Sequence, residues 1–105
     1  MRTISTLVLL FASTLATLAH DNCYEGIGCP HRDLFRPADL RQLSCQNLWY
    51  VRNRIYDDHG YCFRTQDAIR AFDNSDCYVR NAARLDINRR EQQNISRIRQ
   101  AEQRK

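Results

Sequence analysis

The chain has 105 residues and a formal net charge of +4, with fifteen arginines and one lysine against twelve acidic residues, and it carries five cysteines. A chain of that length is expected to form one domain at most, with a marginal core that leans on covalent staples. No phosphate-binding loop, dinucleotide fingerprint or serine nucleophile elbow occurs, which leaves no sequence ground for nucleotide chemistry or serine hydrolysis.

The first stretch, "MRTISTLVLLFASTLATLAHDN", has Arg2 as a short positive region, an uncharged Leu-rich run from Ile4 to Leu18, and small Ala19 two residues after Thr17. This is the pattern of a secretory signal peptide over residues 1–19, too short to serve as a membrane span. Asp21-Asn22 ahead of Cys23 is not a lipoprotein context. The expected location is therefore periplasmic or secreted, with no transmembrane segment in the mature chain.

Residues 20–37 contain Gly26, Gly28, Pro30 and Pro37 with Cys23 and Cys29, and read as an irregular cysteine-containing arm. Cys23, Cys29, Cys45, Cys62 and Cys77 all follow the signal, and in an oxidising compartment they read as disulfides with one thiol over. Cys62 and Cys77 enclose the shortest folded excursion and are the favoured pair. The second pair lies among Cys23, Cys29 and Cys45; Cys23 with Cys29 is the local choice, leaving Cys45 free. No CxxC or HxxxH spacing supports zinc, and neither a metal nor another cofactor is expected. A mature N-terminus at His20 would offer an amine and an imidazole to copper, with His31 or His59 adding a nitrogen, but an exposed histidine at a loose end is the plainer reading.

Residues 38–78 read as the helical core. "PADLRQL" supplies one or two turns with Pro37 near the first position. Ser44 caps a longer helix in which Cys45, Leu48, Trp49, Arg52, Ile55, Tyr56 and His59 fall on an arc of roughly 120° at 100° per residue, the width of a core-facing stripe. Gln46, Asn47, Tyr50, Arg54, Asp57 and Asp58 take the opposite side. Gly60 suits the left-handed stop. "YCF" is an extended connection. Thr65 caps a second helix with Ala68, Ile69 and Phe72 inward and Asn74 at its end, and the docking of this helix on the first is the expected core.

Residues 79–105 read as an arginine-rich C-terminal helix. Asn88 and Glu91 form a capping-box pattern, and Ile95, Ile98 and Ala101 give modest apolar support, so fraying is expected near Lys105. Charge is segregated: residues 20–77 carry seven arginines against nine acids, residues 78–105 eight bases against three acids. A basic end can seek an anionic envelope polymer or lipid head groups, although a solvated face is the commoner meaning of such a run. Nucleic acid is not expected for an exported chain. "NIS" at Asn94 is a glycosylation sequon in form.

"LSCQNLWYVRNRIYDDHGYCF" resembles the YARHG domain, a small exported bacterial module. The similar positions are Leu43, Ser44, Leu48, Arg52, Asn53, Ile55, Tyr56, His59, Gly60, Tyr61 and Phe63, with Phe72 and Tyr78 fitting later aromatics, a match over roughly residues 39–78. The signature's central Ala-Arg is replaced here by Asp57-Asp58, so no anion-binding role passes to those two positions. The resemblance implies an extracytoplasmic, mostly helical domain and no particular reaction.

Arg52, Tyr56 and His59 are the candidate ligand-binding residues. Arg52 sits inside an apolar stripe, where an unpaired guanidinium would cost several kcal/mol. Either it closes the fold through loop carbonyls or an acid such as Asp67 or Asp73, or it lines a shallow cleft for an anion with Tyr56 and His59. His59 in the last turn also suits the helix C-terminus. Asp57 and Asp58 diverge by 100° and do not form a catalytic carboxylate pair. The expected fold is all-α and disulfide-stapled, with two core helices and a C-terminal helix. The expected function is an exported, non-enzymatic binding or accessory module of the cell envelope, its partner an anionic envelope component or another exported protein. The alternative is a secreted effector, inhibitor or hydrolase-like enzyme using His59.

Overall fold

A computed structural model describes residues 22–105; the expected signal peptide and His20 lie outside them. Four helices follow in order: α1 Pro37–Leu40, α2 Cys45–Asp58, α3 Gln66–Phe72 and α4 Arg89–Gln103, with a 3-10 turn at Ala82–Arg84. There is no β-strand among the described residues, only two isolated bridges, Tyr24 with Gly28 and Tyr61 with Val79. The fold is the expected all-α, disulfide-stapled one.

α2, α3 and α4 begin where side chains satisfy free amide groups of the first turn, while α1 starts at Pro37 without a side-chain cap. Ser44 accepts from the Asn47 amide at 3.1 Å and Thr65 from the Ala68 amide at 3.4 Å. At α4 the box is complete: Asn88 Oδ1 accepts from the Glu91 amide at 2.8 Å, and Glu91 Oε1 accepts from the Asn88 amide at 3.0 Å. The C-terminal basic region is not helical from residue 79; the helix proper starts at Arg89, after the 3-10 turn.

The main core differs from the expected α2–α3 packing. Phe35, Leu40, Leu48, Val51, Ile55, Ile95, Ile98 and Ala101 form one buried cluster, so α2 packs chiefly against α4, with the arm and α1 closing the end. α3 forms a second, aromatic cluster of Phe63, Ala68 and Phe72, with Trp49 and Tyr50 of α2 against it. Phe72 stacks on Tyr50 at 5.1 Å and on Phe63 at 5.1 Å between ring centroids. A helix covered on two sides has no single stripe. Val51 is therefore buried although it lies off the predicted arc, while Cys45, on that arc, is exposed.

The arm is held by α4. Asn94 has no exposed surface, and its amide makes three bonds: Oδ1 accepts from the Phe35 amide at 2.8 Å, and Nδ2 donates to the carbonyls of Pro30 at 2.9 Å and Asp33 at 2.7 Å. The sequon nitrogen is thus spent on the fold and is closed to a glycan. Arg97 adds a bond to the Phe35 carbonyl at 2.7 Å, and Asn88 one to the His31 carbonyl at 3.2 Å. Cys23 is bonded to Cys29, and the Cys29 amide donates to Asp33 Oδ2 at 2.8 Å, which with Arg32 holds that carboxyl below the usual carboxylate range.

These bonds make Asn94 the tie whose loss is felt most. Asn94→Ala strands one buried donor and two carbonyls, an expected loss of about 3 kcal/mol. In a domain of this size that corresponds to a fall in melting temperature of about 15 °C. Thermal unfolding followed by circular dichroism measures it; a fall below about 5 °C would mean that water replaces the amide at no cost.

Candidate functional site

The three candidate residues of α2 all face α4. Arg52 grips Glu102 with two parallel bonds, Nε to Oε1 at 2.6 Å and Nη2 to Oε2 at 3.1 Å. The Tyr56 hydroxyl accepts from Arg99 Nη2 at 3.1 Å. His59 Nε2 donates to Glu91, 2.9 Å from Oε2 and 3.1 Å from Oε1. Residue numbers rise along α2 as their partners' numbers fall along α4, so these are three polar rungs of an antiparallel seam. The Arg52 and Glu102 side chains are 19% and 22% exposed, so the pair is neither free in solvent nor sealed. Its partner is Glu102, not Asp67 or Asp73.

The lowest rung satisfies two helix ends at once. His59 is the C-cap residue of α2, and Glu91 lies in the first turn of α4. A ring donor belongs at the negative end of one macrodipole and a carboxylate at the positive end of the other. Asn53 stays local, donating to the Trp49 carbonyl one turn back at 2.9 Å. Glu91 was flagged in the sequence only as a cap, and Glu102 not at all; no local pattern signals a pairing across fifty residues.

Beyond His59 the chain turns at Gly60, with φ +83°. The amides of Tyr78 and Val79 both donate to the Gly60 carbonyl at 2.9 Å, and the Cys62 amide donates to the Val79 carbonyl at 2.8 Å. Cys62 is bonded to Cys77, and Asn74 brackets Phe63 with bonds of 3.0 and 2.7 Å to its amide and carbonyl. Gly60 is required twice over. A side chain would be strained at its φ, and a Cβ there would run into the Tyr78 ring.

Surface depressions lie around this turn. One of about 440 Å³ is lined by Asp57, Asp58, Asp73 and Asp76 with Arg54 and Tyr78. A second of about 520 Å³ is lined by Tyr78, Val79, Arg80, Asn81 and Arg84. A third of about 320 Å³ over the disulfide joins Arg64 to Arg80. Arg54 pairs with Asp58 at 3.0 Å and more loosely with Asp57 at 3.9 Å. Partial burial first, and then the carboxylates of Asp58, Asp76 and Asp73, push Asp57 above the usual carboxylate range against the pull of Arg54. Among the described residues no group of three or more His, Cys, Asp or Glu side chains is placed to hold a metal, and no helix is long and apolar enough to cross a membrane. Cys45 is an exposed free thiol, His31 is exposed, and the Cys62 thiol next to His59 in sequence is consumed by its disulfide.

Two outcomes follow from this geometry. Arg52→Ala and Glu102→Ala each destabilise the domain, and the double variant loses about 1 kcal/mol less than the two single losses added together, read from urea unfolding. A coupling of zero would place Arg52 outside the fold's support. Asp57 has a raised folded-state pKa, so ionising it costs the folded state and its share of stability fades as pH rises through that value. Asp57→Asn is therefore expected to melt above the parent at neutral pH, with the gain disappearing in acid; an unchanged gain at about pH 3 would assign it to something other than charge.

Neither a curated protein nor a solved structure matches the chain. The sequence profile of the YARHG domain matches residues 31–103. That span is wider than the resemblance over residues 39–78, and the structure gives the reason: Phe35 and α4 complete the core that α2 begins, so the arm and the C-terminal helix are parts of the same folded unit. With the profile covering well over half of its length, the chain belongs to the YARHG domain family.

Proposed function

We propose that this chain is an exported, non-enzymatic binding module of the cell envelope, and that its partner is an anionic envelope component or another exported protein. Family membership and two disulfides support an oxidising, extracytoplasmic location. The observation that carries the binding reading is how polar side chains are used. Arg52, Tyr56 and His59, the residue types that chemistry would recruit, are each engaged with α4. By contrast, among the described residues no cation from Arg80 to Lys105 forms an ion pair, although Arg97, Arg99 and Lys105 donate to neutral oxygens.

Unpaired arginines on a rigid surface attract anions at long range and bind them with a strong salt dependence. Glu91 occupies Nε2 of His59, so that proton exchange with a substrate would fall to Nδ1 alone. Retention of the oxidised protein on insoluble cell-wall material is the direct test. Binding at low ionic strength that is released at about 1 M salt, where the screening length is about 3 Å, is the expected result. No retention at any salt concentration would remove the anionic envelope partner from consideration.

A further inference from the structure

Tyr78 is a large side chain left in solvent, with 76% of its surface exposed. Its setting is rigid: the backbone bonds to Gly60, the Cys62–Cys77 disulfide beside it and the Val79 bridge fix where the ring begins. One edge of the ring rests on Gly60, in space that only a residue without a side chain leaves open. A ring fixed in advance presents contact area with little ordering left to do on binding.

The ring lines two depressions of different charge. One carries four aspartates with Arg54. The other carries Arg80, Arg84 and Asn81, and Arg64 joins Arg80 across the neighbouring depression over the disulfide. Arg64, Arg80 and Arg84 are exposed, and none is in an ion pair among the described residues.

We propose that Tyr78 with Arg64, Arg80 and Arg84 forms a binding site for an acidic sugar unit, a pyranose bearing a carboxylate or phosphate group. The proposal rests on the envelope-module reading and gives it a place on the surface. The C–H face of a pyranose is flat, apolar and about the size of a phenol ring, so it stacks on Tyr78. The acid group then lies on the arginine side, where planar guanidinium forks take carboxylate or phosphate oxygens in pairs. Asn81 lines the same depression; its Oδ1 accepts from the Ala83 amide at 3.0 Å, which leaves the Nδ2 donor for a ring hydroxyl. The aspartates of the other depression repel an acid group placed against them. An inorganic anion would have no use for the ring, and a neutral sugar none for the arginines.

The test is a nuclear magnetic resonance titration of the full mature, oxidised protein with trigalacturonate, glucose 1-phosphate, neutral maltotriose and cationic chitosan trimer. Amide shifts confined to residues 60–64 and 77–84 are expected, with one or both acidic sugars binding at least about tenfold more tightly than maltotriose. The relative affinities of the two acids identify carboxylate or phosphate as the natural group. Tyr78→Ala and Arg84→Gln should each weaken binding about tenfold with an unchanged melting temperature, while Tyr78→Phe keeps it. Equal or better binding of the neutral or cationic sugar, shifts elsewhere on the molecule, or no shift up to about 10 mM would overturn the site. The two readings fail separately. Wall retention that survives Tyr78→Ala sinks this site and keeps the module, whereas sugar binding without wall retention does the reverse.

Discussion

Glu91 carries a carboxylate into a nearly closed position, with 6% of the residue exposed, and the fold is arranged so that this charge is tolerable. A buried carboxylate is kept only when donors surround it. Here the first turn of α4 supplies its positive end, the Asn88 amide supplies a bond, and His59 supplies a ring N–H from the last turn of α2. One side chain thus starts α4, finishes α2 and fixes the two helices antiparallel. With that end set, Tyr56 meets Arg99 and Arg52 meets Glu102 further along, and the apolar residues between them, Val51, Ile55, Ile95 and Ile98, come into register. The polar rungs add specificity to an attraction that is mainly burial of apolar surface.

Legibility in the sequence tracked distance along the chain. Features set by neighbours within a turn or two could be read: the caps at Ser44, Thr65 and Asn88, the stop at Gly60, and the short loop closed by Cys62 and Cys77. Features set by remote partners could not. Nothing near Phe35 announces that an arm residue fills the core, because its burial depends on α4 arriving from sixty residues away. Val51 lies off the predicted arc yet is buried in the cluster that α2 shares with α4, while Trp49 and Tyr50 pack against the α3 cluster, so no single stripe describes α2. Arg52 falls between these cases. That a guanidinium in an apolar stripe needs an acid follows from solvation alone; which acid is a fact of topology.

The same contrast explains why residues that resemble a reactive constellation are used as supports. His, Arg and Tyr on one helical face are the residue types of many active sites, yet they are also the long side chains able to reach across a helix seam and bond at the far side. A small domain with little apolar surface to bury draws on such bonds to choose one packing among several. Asn94 is the clearest instance. In sequence it belongs to a modification motif, and in the fold its amide is the buried knot that joins the arm to α4.

Asp57 and Asp58 set the charge beside Gly60 without touching the seam, because both turn toward Arg54 and the depression with Asp73 and Asp76. Asp57 stays above its ordinary value first because it is partly buried, and then because of the neighbouring carboxylates, against the pull of Arg54. Tyr78, packed on Gly60, lines both that depression and the one with Arg80 and Arg84. A surface of this kind discriminates by orientation as well as by affinity: an anion that docks with its charge toward Arg80 gains attraction there and avoids repulsion at Asp57, and the reversed pose loses both. The charge of Asp57 and Asp58 is thus carried on the side of α2 that the seam does not use, and it bears on what the frame presents rather than on how the frame is held.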